Sequence, residues 1–298
     1  MTKGPRLNHG TVCVPSMASA LALYVGLLEQ TVVADTHVTA SEAAAWQVSA
    51  IEGARSVVLQ PPSGAPIYLR LIEQATPAGY SPGTHYGWSA LELTVASADK
   101  VHARLVAAGM PIIAPPKPLS FTDKLYPMQA RGPGGEALYL NEVRGDLPSS
   151  DLPIAKCWVD HLFIAVMGCR DHDHTLAFYN ALLHCTTGGT WVIEYGVINA
   201  AFKLPTTTQH KLSTVADGRT VLFEIDQYPA EATSRPTNPS ILAPGVCSIG
   251  LCVAAPPRDA DWLSVPETRS DAPYFGRTVG VVRGPDDELT ELLWATPA

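Results

Sequence analysis

Residues 7–14 (Leu-Asn-His-Gly-Thr-Val-Cys-Val) and 159–166 (Val-Asp-His-Leu-Phe-Ile-Ala-Val) are two versions of one segment. Each is a short apolar strand with a histidine near its start. Each leads into a helix with the same punctuation: Leu21-Ala22-Leu23-Tyr24 and Leu27-Leu28 after His9, Leu176-Ala177-Phe178-Tyr179 and Leu182-Leu183 after His161. The second copy differs mainly by three extra residues, which the alignment places in the connector. A further echo closes the halves, where Arg131-Gly-Pro-Gly-Gly-Glu136 matches Arg283-Gly-Pro-Asp-Asp-Glu288. A repeat of roughly 150 residues makes the chain two copies of one architecture.

The apolar rhythm divides each copy again. The first unit reads as a strand at 7–14, a helix at 16–29, and strands near 31–35, 44–51, 55–60 and 66–73. The second reads as a strand at 88–95, a helix at 98–108 and strands near 112–114, 126–131 and 137–143. In that helix Val101, Leu105 and Ala108 share one face, and Gly109 with Pro111 ends it. Residues 145–156, rich in proline, serine and aspartate, form a linker. The third unit covers Val159–Gln227 and the fourth Val246–Trp294, with a short helix expected at 259–265 and an exposed crossover at 228–244. Each unit is strand–helix–three strands, and a single four-stranded sheet would leave one apolar side open, so units must pair.

Bulk properties narrow the function classes. Hydrophobic residues make up 46% and charged residues 16% of 298, which describes a compact globular chain. A net charge of −8 without a basic stripe argues against nucleic acid. Apolar stretches break well before 18 residues, and the first residues lack the apolar core of a signal peptide. The six cysteines show no paired spacing, so reduced thiols and a cytoplasmic location are expected.

The strand with its histidine, the Leu-Ala-x-Tyr and Leu-Leu pairs, and the closing Gly-Pro-Asp-Asp-Glu-Leu-Thr-Glu-Leu-Leu resemble the vicinal oxygen chelate superfamily. That group includes glyoxalase I, extradiol dioxygenases, methylmalonyl-CoA epimerase and bleomycin-resistance proteins. The resemblance implies an α+β fold of four βαβββ modules, paired into two cupped mixed-sheet domains. The corresponding division is 1–145 for an N-terminal and 157–298 for a C-terminal glyoxalase-like domain.

In the family a metal is held from a first-strand histidine position and a last-strand glutamate position. Carried over, the first-strand positions are His9, Ala90, His161 and Ser248; the last-strand positions are Arg70, Tyr139, Glu224 and Glu291. The resemblance thus implies a metal set drawn from His161, Glu291 and His9, holding one divalent ion (iron, manganese, zinc, nickel or magnesium). Serine at 248 leaves that set incomplete, so a metal-free site is the alternative. Two pairings of modules are open. Pairing within the C-terminal half would join His161, Ser248 and Glu291. Cross-pairing would put His9, Arg70, Ser248 and Glu291 in one cavity and His161, Glu224, Ala90 and Tyr139 in the other.

His161 and Glu291 are expected to face a common hollow, with Glu291 or Glu224 as base and, if the modules cross-pair, Tyr139 as acid. A carboxylate on an apolar wall has a raised pKa and can shuttle a proton. Ser248, Arg283 and Arg131 are substrate-binding candidates, the arginines with a turn-stabilising role as the alternative. Glu92, Trp88 and Tyr126 are candidate cavity residues, and Pro115–Tyr126, with Phe121, a candidate lid. The run Asp171-His172-Asp173-His174 reads as a capped, solvated loop rather than a metal cluster. The expected activity is proton abstraction next to a carbonyl in a small oxygenated metabolite, aromatic compounds included, as an isomerase or lyase. The rivals are an extradiol dioxygenase with an altered triad and a non-catalytic drug- or metabolite-sequestering protein. The expected partner is a small-molecule substrate, without nucleic acid or membrane, in a monomer or homodimer.

Overall fold

A computed structural model describes residues 4–119, 122–236 and 240–295. Sixteen strands form two curled sheets of eight. The first module supplies β1 (Arg6–Val14), β2 (Thr31–His37), β3 (Arg55–Gln60) and β4 (Tyr68–Glu73); the second supplies β5 (Gly87–Val95), β6 (Ile112–Ala114), β7 (Leu125–Arg131) and β8 (Ala137–Val143). The third supplies β9 (Val159–Cys169), β10 (Thr186–Glu194), β11 (Gln209–Asp217) and β12 (Thr220–Gln227), and the fourth β13 (Gly245–Cys252), β14 (Glu267–Arg269), β15 (Arg277–Arg283) and β16 (Leu289–Ala295). The first sheet runs β14-β15-β16-β13-β1-β4-β3-β2 and the second β10-β11-β12-β9-β5-β8-β7-β6. The fold is therefore the α+β arrangement of four βαβββ modules in two cupped mixed sheets. Of the two pairings the sequence left open, the chain takes the crossed one: modules one and four share a sheet, as do two and three.

One continuous core binds both sheets to the helices α1 (Met17–Leu21), α3 (Ala98–Ala107) and α4 (His172–Leu183). Along β1, Leu7, Val12 and Val14 enter this core while His9 lies outside it. The sheets pack tightly at Gly10, where a Cβ would lie 2.8 Å from a Leu91 methyl, so only glycine fits without displacement. Trp88 is in this core and donates to the Leu289 carbonyl at 3.0 Å, which removes it from the cavity residues.

The repeated motifs find their physical meaning here. Tyr24 donates to Glu136 at 2.6 Å, and Tyr179 to Glu288 at 2.7 Å. The tyrosine of each helix signature thus meets the glutamate of an Arg-Gly-Pro turn, once in each direction between the sheets. Burial pushes both glutamates up to about 7. Arg131 and Arg283 donate to the carbonyls of Gly135 (2.9 Å) and Asp287 (3.3 Å), the turn-stabilising alternative.

Three local expectations are corrected, and one helix is additional. Residues 40–51 hold no strand: α2 (Ala40–Ala45) and a short 3₁₀ turn (Ser49–Ile51) occupy them. A capping box drives this, with Thr39 accepting from the Glu42 amide and the Glu42 carboxylate accepting from the Thr39 amide. The helix expected at 16–29 changes to π-type winding from Ala22, Leu28 donating to the Leu23 carbonyl at 2.9 Å. The span 259–265 is not helical; Trp262 bridges to Val282 instead. An unforeseen helix, α5 (Gly196–Phe202), lies between β10 and β11.

Asp171 does cap α4, accepting from the His174 amide at 3.1 Å, but the solvated loop is also corrected: His172, Asp173 and His174 form the first helical turn, with His172 buried 3.0 Å from Ser213 Oγ. Tyr126 stacks under Arg144 and bonds Asp99 at 3.1 Å, and Phe121 of the expected lid lies outside the described residues. All six cysteines are unpaired, and among the described residues no helix is long and apolar enough to cross a membrane.

Candidate active site

Strand register decides which residues are equivalent. Arg70 lies beside Thr11, Glu224 beside Val166, Glu291 beside Gly250, and Tyr139 beside Glu92. The four last-strand positions read from the sequence therefore correspond. Counting back two residues along each first strand gives His9, Ile164, Ser248 and Ala90. The third position is Ile164 rather than His161, because β9 is itself longer than β1, 11 residues against 9. His161 sits three residues early, 3.1 Å from Asp160, and it stands on a different sheet from Glu291. The expectation that these two face one hollow is thereby overturned.

In the first sheet His9, Arg70, Ser248 and Glu291 meet, as the crossed pairing required. Each is at most 2% exposed. Glu291 accepts from Trp46 Nε1 (3.0 Å), Ser248 Oγ (3.1 Å) and Tyr274 Oη (2.9 Å), and His9 Nε2 is 3.5 Å away. Arg70 bonds Ser56 Oγ (2.8 Å), Tyr274 Oη (2.9 Å) and Glu42 (2.7 Å). Its guanidinium also faces the Trp46 ring, 5.1 Å from the centroid. Glu42 and Trp46 arrive on α2 and its C-cap, so this helix closes the cup. Gly250 leaves room for the His9 ring, which a Cβ there would approach to 2.1 Å. Burial pushes Glu291 up, but His9, Arg269 and Arg70 outweigh it and hold the carboxyl well below the usual carboxylate range.

These donors do not fit the divalent metal that the fold implies. One of four positions is a permanent cation, another a neutral hydroxyl, and the single carboxylate already accepts three hydrogen bonds. Among the described residues no group of three or more histidine, cysteine, aspartate and glutamate side chains is placed to hold a metal ion.

The second sheet carries the opposite chemistry on its cupped face. Tyr195 Oη donates to Glu224 Oε1 at 2.9 Å and lies 3.0 Å from Tyr139 Oη. Asn141 donates to Glu92 at 2.7 Å, and Asp226 is 1% exposed with Oδ1 unpartnered. Ala90, Ala137, Val166, Ile164 and Val197 form apolar walls around these groups. Although dense protein surrounds Glu92, Glu224 and Tyr195, each keeps part of its surface open to solvent. Burial raises Glu224 above the ordinary carboxylate range, against the hydrogen bonds from Asp226 and Tyr195. Burial, and then the charge of Glu224, raises Asp226 and Glu92 further. Tyr139 and Tyr195 are raised by burial and by the same carboxylates. Among the described residues these three carboxyls gather without a facing cation, so each is harder to ionise than an ordinary carboxyl and the group offers both acid and base.

The sequence reading anticipated Glu224, Tyr139 and, as a cavity residue, Glu92. It missed Tyr195, Asp226 and Asn141 here, and Trp46, Tyr274, Glu42 and Arg269 in the first sheet.

Residues 6–138 match the Glyoxalase/Bleomycin resistance protein/Dioxygenase superfamily. That match spans most of the first two modules. The whole chain has its four-module fold: glyoxalase I from maize (Zea mays) aligns over 97% of this chain and 92% of its own, with TM-score 0.62 and 12% identity. A proposed dioxygenase from Bacillus subtilis aligns over 100% of this chain and 87% of its own, with TM-score 0.60 and 12% identity. At such identity the likeness shows the vicinal oxygen chelate fold alone. No curated protein sequence matches the chain.

Proposed function

We propose that the chain is a vicinal-oxygen-chelate-fold enzyme that works at the cupped face of the second sheet by acid–base chemistry, as an isomerase or lyase. The observation that carries this reading is the linked, partly open series Tyr139–Tyr195–Glu224 on an apolar wall. Glu224 takes the proton from the carbon next to a substrate carbonyl. The electron pair moves onto the carbonyl oxygen, where a phenol hydrogen bond or the proton of Asp226 stabilises the enolate. For an α-hydroxy carbonyl, return of the proton to the former carbonyl carbon, with the hydroxyl proton passing to the enolate oxygen, completes an isomerisation; departure of a β-leaving group with its bonding pair, as the carbonyl re-forms, completes an elimination. A raised carboxyl is a stronger base than an ordinary one, which suits it to abstraction near neutral pH.

Glu291, the other candidate base, is ionised, sealed and engaged by three donors, so it serves the proposed reaction only as structure. Ser248 and His9 share that role, and His161 stands apart from both sites. Ring cleavage of the extradiol type needs several metal donors, which neither cup supplies. The test is α-proton exchange in D₂O, followed by ¹H NMR over small α-hydroxy carbonyl and 2-oxo acid compounds. Exchange that disappears in Glu224→Gln and persists in Glu291→Gln supports the reading. Exchange that persists in Glu224→Gln, or requires an added divalent metal, counts against it.

A further inference from the structure

A cleft of about 500 Å³ lies at the seam between the two sheets, adjoining the first cup through Asn8 and Arg277 and sharing no residue with the Tyr139–Tyr195–Glu224 series. Its residues come from β1, the turn before β4, β9, β12, β13, β15 and the linker. The walls are apolar, among them Leu7, Ile67, Leu162, Phe163 and Leu222. Basic and polar groups share the same opening: Arg6, Arg277, Asn8 and His161. This grouping of cations is notable in a chain of net charge −8. The one carboxylate at the rim, Asp151, is already paired with Arg219 at 2.6 Å.

The partners of these groups decide which remain free for a ligand. Arg277 spends one N–H on the Tyr274 carbonyl at 3.0 Å, and Arg6 is exposed at the edge of the cleft. The Asn8 amide is engaged by His9 and by the Pro273 carbonyl, both at 3.0 Å. His161 is 23% exposed, with Nδ1 held 3.1 Å from the buried Asp160 carboxylate but unaligned for a hydrogen bond. Two guanidinium groups with spare donors therefore stand over a mostly hydrocarbon cavity. The volume lies in the range of small-molecule sites, which are commonly apolar with a few polar groups fixing orientation. Guanidinium forks match a carboxylate in plane and charge.

We infer that this seam cleft binds an amphipathic monocarboxylate, with its apolar body between the sheets and its carboxylate at Arg6 and Arg277. The site is separate from the proposed catalytic face, and the inference does not depend on it. It also gives His161 a place, at the mouth of a binding cleft rather than in a metal set.

Calorimetric titration of the full chain with dodecanoate tests the inference, with dodecanol and acetate as controls for head and tail. Dodecanoate is expected to bind with a micromolar Kd, and dodecanol and acetate at least tenfold more weakly. Arg6→Gln, which alters an exposed side chain, is expected to weaken dodecanoate about tenfold, as loss of one charge-assisted contact would. Val221→Trp fills the cleft from its wall without touching charge and is expected to abolish binding. Glu224→Gln is expected to leave the titration unchanged, which separates this result from the catalytic reading. Absence of dodecanoate binding, equal affinity for dodecanol, or binding that survives Val221→Trp overturns the inference.

Discussion

The two cups of this molecule occupy equivalent places in equivalent sheets and have opposite electrostatics. In the first, Arg70, Arg269 and His9 surround Glu291 and keep it charged. In the second, burial and mutual repulsion among Glu92, Glu224 and Asp226 raise all three carboxyls above their ordinary values. In each an inserted helix brings an aromatic donor to the last-strand carboxylate, Trp46 beside α2 and Tyr195 at the start of α5. The first cup ends fully buried and the second partly open. The contrast shows how one scaffold position becomes a structural anchor or a reactive group, depending on whether its neighbours carry positive charge.

The sharpest test of that contrast is catalytic. Glu224→Gln is expected to lower turnover by about 10²–10⁴-fold with the urea midpoint preserved, since it removes the base and keeps the shape. Glu291→Gln should show the converse, a lowered midpoint with retained exchange chemistry. Next in size is Arg70→Met, which leaves Glu42 buried without its cation. A loss of about 3–5 kcal/mol in equilibrium unfolding is expected, as for breaking one side of a buried pair. A loss under 1 kcal/mol would mean that this cup is not held by charge.

The pH dependence separates the cups by sign. Glu291 is held low in the folded state, so the stability it contributes is full above the ordinary carboxylate range. That stability is lost as pH falls toward its folded value. Glu224, Glu92 and Asp226 are raised, so their contribution is full in acid and is lost as pH rises. Glu136 and Glu288 follow the second pattern, losing stability between about 4.5 and about 7. The shift corresponds to about 3 kcal/mol for each. Denaturation at pH 5 and pH 8 is expected to show this loss, and Glu136→Gln to remove its share. The smallest effect belongs to Trp46→Phe. Losing one donor to a charged acceptor is expected to cost about 1.5–3 kcal/mol and leave the proposed catalysis intact.

The repeat made the architecture legible because its marks are bound to one another in space. Leu-Ala-x-Tyr and Arg-Gly-Pro-x-x-Glu are partners, Tyr24 to Glu136 and Tyr179 to Glu288. Glu224 and Tyr139 were legible for a related reason, since counting from turn glycines preserved strand register. His161 was misplaced because its three extra residues lengthen the strand, and periodicity cannot tell a longer strand from a longer connector. The helix carrying Glu42 and Trp46 had a signal, the Thr39-Ala-Ser-Glu42 capping box, which alternating apolar residues at 44–51 obscured. α5 had none, because no side chain caps its start at Tyr195. The residues closing each cup come from these inserted helices and from the loop holding Tyr274, which lie outside the repeat's shared marks.

The crossed pairing also sets a timetable. The second sheet is complete once residue 227 is made, but the first needs strands reaching residue 295. At roughly 5–20 residues per second during synthesis, the opening module waits roughly 10–45 seconds for its partner, with one flank of β1 unpaired. The carboxylate that anchors the sealed cup arrives on β16, so the first sheet closes only after the second is already complete.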